Sequence, residues 1–154
     1  AQGKFPEAEH YFAQALTIRQ RLAESDPTNA AWQRDVEVSC DKLGNLAIAQ
    51  RKLPDAERYF SQALSIAQQL TESDPTNAAR QRDLFVSYMQ LALLSDQLEN
   101  AADALRYAEM GLPIIEQLAA AAPDHAQWQR DLVNARRDKT RLQEKAGTTH
   151  VTED

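Results

Sequence analysis

A block of 48 residues recurs along this chain, and a strict period of that length limits the fold to a stack of like units. Ser25-Asp26-Pro27-Thr28-Asn29-Ala30 returns as Ser73-Asp74-Pro75-Thr76-Asn77-Ala78, with an eroded third copy at Ala122-Pro123-Asp124. Pro27, Pro75 and Pro123 are therefore spaced by 48 each time. Gln33-Arg34-Asp35 recurs as Gln81-Arg82-Asp83 and Gln129-Arg130-Asp131, and Lys4-Phe5-Pro6-Glu7 as Lys52-Leu53-Pro54-Asp55. The register runs from residue 1 to about residue 145 without an insertion.

Each period predicts two helices. The first runs roughly from Ala30 to Arg51, with Thr28 or Asn29 as its N-cap. The second runs from about Pro54 to Ser73, where Pro54 suits a first turn because its missing N–H would have no helical partner there. Ala, Gln, Leu, Arg and Glu dominate the chain and favour helix, while β-branched residues never cluster. Short turns between long helices require antiparallel neighbours. The second helix of each period carries an apolar stripe at steps of three and four. It reads Ala8, Tyr11, Ala15, Ile18, Leu22, then Ala56, Tyr59, Ala63, Ile66, Leu70, then Ala104, Tyr107, Gly111, Ile114, Leu118. Six helices are expected, with Leu46 and Leu94 buried. Pro113, inside the last second-type helix near Gly111, predicts a kink or local break.

Leu43-Gly44, followed by Ala56, Phe60 and Ala63, resembles the signature of the tetratricopeptide repeat family. The usual period of that family is about 34 residues. The longer unit here resembles kinesin-light-chain-type arrays, in which the hairpins are extended. The resemblance implies an all-α fold: a right-handed α-solenoid of antiparallel helical hairpins.

The two ends differ. Residue 1 aligns with Ala49, so the chain opens on a second-type helix that keeps Phe5, Tyr11, Phe12, Leu16 and Ile18 although no first-type helix precedes it. In the last first-type helix Arg136, Lys139 and Gln143 replace apolar or small residues, and Leu132, Ala135 and Leu142 stay apolar. Terminal repeats need a polar outer face. The expectation is a repeat domain over residues 1–146, a piece of a longer array cut at its N-terminal side, followed by a flexible tail over 147–154. The open first helix invites a second copy of the chain.

Little in the chain points to catalysis or metal binding. Asp and Glu outnumber Lys and Arg by 23 to 17, a net charge of −6, which disfavours nucleic acid and anionic membrane surfaces. His10, His125 and His150 fall on separate segments without ligand spacing. The lone Cys40 stands where Tyr88 stands one period later, so it reads as a packing thiol. It permits no internal disulfide, and a reducing, cytoplasmic setting is expected. No apolar run reaches membrane-spanning length. An enzyme is not expected, nor a cofactor. The Gln-Arg-Asp triplet has two readings: a recognition strip, or a clasp in which Arg34 bonds Asp26, Glu24 or a carbonyl at the preceding helix end.

The copies also differ informatively. Positions 36, 39, 43 and 46 barely change in the next period, whereas 38, 41, 42, 45 and 48 change freely. Stacking constrains every copy alike, so the variable stripe is either plain solvent face or a ligand groove. The resemblance places this stripe on a concave, partner-binding surface. The candidate groove residues are Val38, Asn45, Val86, Met89, Leu93, Arg137 and Arg141. Some relatives grip a C-terminal carboxylate with Lys and Asn on such positions. Asn45 fits, but Asp41, Met89 and Leu93 do not. The expected function is a scaffold that binds a peptide or a protein segment. The alternative is a structural, oligomerising or sensor array packed on other domains, as in the bacterial signalling proteins it also resembles.

Overall fold

The computed structural model describes residues 4–149, and among these every regular element is an α-helix. The elements are α1 (Lys4–Ser25), α2 (Ala30–Ala49), α3 (Leu53–Ser73), α4 (Ala78–Gln97), α5 (Ala101–Ala121) and α6 (Ala126–Thr149). The fold is the all-α helical repeat expected from the period. It divides into two compact units, residues 1–74 and 75–154.

Helix starts follow the repeat. Asn29 Oδ1 accepts from Trp32 N at 3.1 Å and caps α2. Its equivalent Asn77 accepts from Ala79 N and Arg80 N at the head of α4. One period on, His125 takes over the role, with Nδ1 accepting from Trp128 N at 3.3 Å and its ring stacked on Trp128. Each cap satisfies a backbone donor that the first helical turn leaves without an intrahelical partner.

Helix ends follow it as well. Arg51 and Glu99, 48 residues apart, both adopt φ 59°. Arg51 N donates to Ile48 O and Lys52 N to Ala47 O, while Glu99 N donates to Asp96 O and Asn100 N to Ser95 O. This paired arrangement closes a helix through a left-handed residue, a place usually held by glycine. Here two charged residues accept the strain, and the following helix starts at once.

In the first unit α2 lies between α1 and α3. Its core joins Leu16 and Ala23 of α1, Val36, Cys40 and Leu43 of α2, and Ala63, Ile66 and Leu70 of α3. Gly44 lies against the ring of Phe60, so closely that a Cβ at 44 would overlap it. In the second unit α5 packs on both α4 and α6. Phe85, Ile115, Leu118 and Ala135 form one part of its core, and Ala92, Ala104, Ala108 and Leu142 another.

Several expectations need correction. Leu94 is buried, but Leu46 is only half-buried, because it sits at an open rim beside the exposed Glu9–Lys52 ion pair. No break occurs at Pro113, and α5 continues through it. Pro113 and Glu109 are both exposed, so water can satisfy the carbonyl that loses its partner, while buried Ala108, Gly111 and Ile115 hold the helix in place. Helix α6 runs through Gly147 to Thr149, so residues 147–149 are helical rather than tail; residues 150–154 lie outside the described residues. On α6, Arg136 and Gln143 are exposed, Lys139 is partly so, and Ala135 and Leu142 are buried, the one-sided pattern read from the sequence.

Candidate partner-binding face

The variable stripe lies on the first-type helices α2, α4 and α6. In the first unit, Val38 is half-buried and Asn45 exposed on α2. The second unit contains two of the three helices, and their side chains define a surface. Arg82 on α4 and Asp131 on α6 form an ion pair at 3.1 Å. Four turns along α4, Asp96 accepts from Arg141 at 2.5 Å and from Lys145 at 2.6 Å, both on α6. These two bridges hold α4 and α6 side by side along one face. Residues 82, 86, 89, 93 and 96 follow one another at steps of three and four, so they share a side of α4. Between the bridges α4 presents Met89 and Leu93, and α6 presents Arg137 and Asp138.

Individual roles differ from the sequence expectation. Leu93 is exposed at 43%, unusual for a leucine bordered by ion pairs. Arg137 is exposed, with Nε 3.8 Å from Asp138. Val86 and Met89 are half-buried and pack against the Phe85, Ile115, Leu118 and Ala135 cluster. Packing therefore does constrain these two. Gly111 leaves a gap in α5, and the flexible Met89 thioether lies close enough to touch a Cβ built there at 3.6 Å. Arg141 is engaged by Asp96 instead of standing free.

Asp96 and Lys145 were missed as site residues. Asp96 belonged to the variable stripe, but nothing local indicates that α6 would bring two cations to it. Hydrogen bonds from Lys145 and then Arg141 hold its carboxyl below the usual carboxylate range. A carboxyl depressed on folding stabilises the folded state above its unfolded pKa, and that contribution fades as pH falls through the folded value. The second unit is therefore expected to lose of order 1 kcal/mol between about pH 5 and acid pH through this cluster. Asp96→Asn should flatten that part of the pH–stability profile, measured by urea unfolding across the range. An unchanged acid slope would show that the bridge contributes nothing.

Two copies of the Gln-Arg-Asp triplet show what its members bond. Gln129 Nε2 donates to Ala119 O at 2.8 Å, and Gln81 Nε2 bonds Pro75 O, so glutamine holds the chain ahead of the helix. Arg82 reaches α6 and bonds Asp131, which also accepts from Gln127 Nε2 at 2.7 Å, whereas Arg130 bonds Gln127 within its own helix. A long flexible amide suits a nearby carbonyl, whereas the guanidinium fork suits a carboxylate.

No catalytic grouping emerges elsewhere among the described residues. Cys40 is wholly buried, and burial, followed by the charges of Asp41 and Glu37, pushes its thiol up to about 12. It stays protonated and unreactive at neutral pH. Among the described residues no group of three His, Cys, Asp or Glu is placed to hold a metal ion. A shallow cleft of the first unit is walled by Gln20, Gln33, Gln62 and Gln69 and contains one carboxylate, Glu24, rather than the pair that acid–base chemistry would use. No helix among the described residues is long and apolar enough to cross a membrane.

Residues 1–28 and 38–76 match the sequence model of the tetratricopeptide repeat family. No curated protein matches the chain. The matched segments cover α1 and most of the α2–α3 hairpin, and the 48-residue register carries the same pattern through α4, α5 and α6. Repeats of this family are non-catalytic and mediate protein–protein interaction. Helix order, turn chemistry and sequence match agree in making residues 1–28 and 38–76 similar to tetratricopeptide repeats.

Proposed function

We propose that the protein is an interaction scaffold and that the α4–α6 face of its second unit receives a peptide or a segment of a partner protein. The observation that carries this reading is Leu93, exposed on a helix that two ion-pair bridges tie to α6, on which Arg137 is exposed as well. An apolar anchor ringed by charge suits a ligand with one hydrophobic side chain and a nearby carboxylate. Val38 and Asn45 hold the equivalent stripe on α2 and give the first unit its own version of that surface, with an amide in place of the leucine. Met89 is not part of the test, since it packs the core.

Peptides selected from a display library against the protein provide the probe. Leu93→Ser is expected to weaken the selected peptides at least tenfold, about 1.4 kcal/mol. Stability should stay within about 0.5 kcal/mol, because the side chain lies at the surface. Arg137→Glu should weaken acidic peptides further and slow their association. Selected peptides that bind both variants as well as the parent would place recognition elsewhere. A second reading, an array packed on other domains or copies, is favoured by the open side of α1.

A further inference from the structure

A cap residue stands two places after the proline of each turn, and the third copy changes its chemistry. Asn29 and Asn77 hold the place ahead of α2 and α4, and His125 holds it ahead of α6. The backbone is the same in kind: Asn29 O accepts from Gln33 N, Asn77 O from Gln81 N and His125 O from Gln129 N. The side chains are not. An asparagine caps through an amide oxygen, which takes up no proton in ordinary solution. His125 caps through Nδ1, 3.3 Å from Trp128 N, and a ring nitrogen accepts only while it carries no proton. The ring is exposed and lies stacked on Trp128, with centroids 4.0 Å apart, and Trp128 packs against the core of the second unit. The turn itself has lost a tie. Ahead of α2, Asp26 Oδ1 accepts from Thr28 N at 3.1 Å and from Thr28 Oγ1 at 2.6 Å, whereas Ala122 and Asp124 stand at those places ahead of α6.

We infer that His125 is a proton-operated cap: mild acid unfastens the first turn of α6, while the asparagine caps hold α2 and α4 as before. Imidazoles change charge at about pH 5–8, and in the charged ring both nitrogens are donors. Nδ1–H and Trp128 N–H then face each other, donor to donor. The stack does not relieve the conflict, because a cation on an indole face is attracted to it and the ring stays in place. The new charge also lies at the positive end of the α6 dipole. Of the charged groups around this turn, Asp124 precedes His125 in the chain and is exposed. On α6, Asp131 is bonded by Arg82 and Gln127, and Arg130 bonds Gln127. The last two turns of α5 bring only Glu116, which Arg136 bonds. From α4, Arg80, Arg82 and Asp83 belong to the same end, and each is engaged. At the far end of α6 the Asp96 carboxyl is held below the usual carboxylate range, so its titration lies apart from that of an imidazole. The device therefore acts at one of the three first-type helix starts, in the turn before Asp131, whose ion pair with Arg82 ties α6 to α4. It is independent of the α4–α6 reading.

Amide NMR of the whole chain between about pH 8 and pH 5 tests this, because two tryptophans stand in matched places. Trp32 N donates to Asn29 and Trp128 N to His125, each from the third residue of its helix. The Trp128 amide is expected to shift upfield together with the His125 ring resonances. Its protection from exchange, measured against the unfolded chain at the same pH, should fall about fivefold, the weight of one cap. Trp32 should not respond. His125→Asn should keep the Trp128 amide bonded across the range, and His125→Ala should release it at every pH. A Trp128 amide that ignores the titration of the ring overturns the inference. So does an equal response at Trp32, which would mean a general loosening in acid. A response that survives in His125→Asn overturns it too, and would place the proton on Asp124.

Discussion

Phe60→Ala is expected to destabilise the first unit by about 3–5 kcal/mol, the usual range for emptying a fully buried aromatic site. Gly44→Ala alone should cost about 1–3 kcal/mol, because the new methyl would meet the Phe60 ring. Combined, the two changes should cost clearly less than their sum. The second unit supports that expectation, for the positions 48 residues on are Ala92 and Ala108, both buried. The repeat thus fills one contact with a glycine and a phenylalanine in one hairpin and with two alanines in the other. Removing the ring opens the space into which a methyl group at position 44 fits. A double-mutant cycle by urea unfolding measures the coupling, expected at about 1–3 kcal/mol in the favourable direction. Additive losses would mean that Gly44 is required for its backbone and not for the space it leaves.

Leu142→Ala is the second large effect, expected at about 2–5 kcal/mol. Leu142 is wholly buried on α6 and joins Ala92, Ala104 and Ala108 in one cluster. Three of those four residues are alanines, so the leucine supplies most of the volume of the buried cluster. The loss should be local at first. Amide exchange of α6 should quicken before that of α4 or α5, since among the described residues α6 adds only Ala135 and Leu142 to the buried hydrophobic set. Val133→Ala, on the same helix but exposed, is the control and should stay within about 0.5 kcal/mol. Equal losses at both positions would show that α6 is docked by another face.

Both predictions draw on a fold whose outline could be read from one dimension. The 48-residue period, the Asn caps and the three-and-four stripes each depend on neighbours in sequence. Local propensity and stacking therefore dictated six helices, their limits to within a few residues, and the buried Cys40 and Leu94, though not the half-buried Leu46. Tertiary structure decided what depends on residues far apart. Asp96 meets Arg141 and Lys145 only after α5 turns the chain back, and Arg82 meets Asp131 in the same way. Variation between copies could not separate Leu93, left in water, from Met89, drawn inward by the space at Gly111. Periodicity assigns a residue to a side of its helix, but the volume and charge on the neighbouring helix determine whether that side is filled, paired or left open.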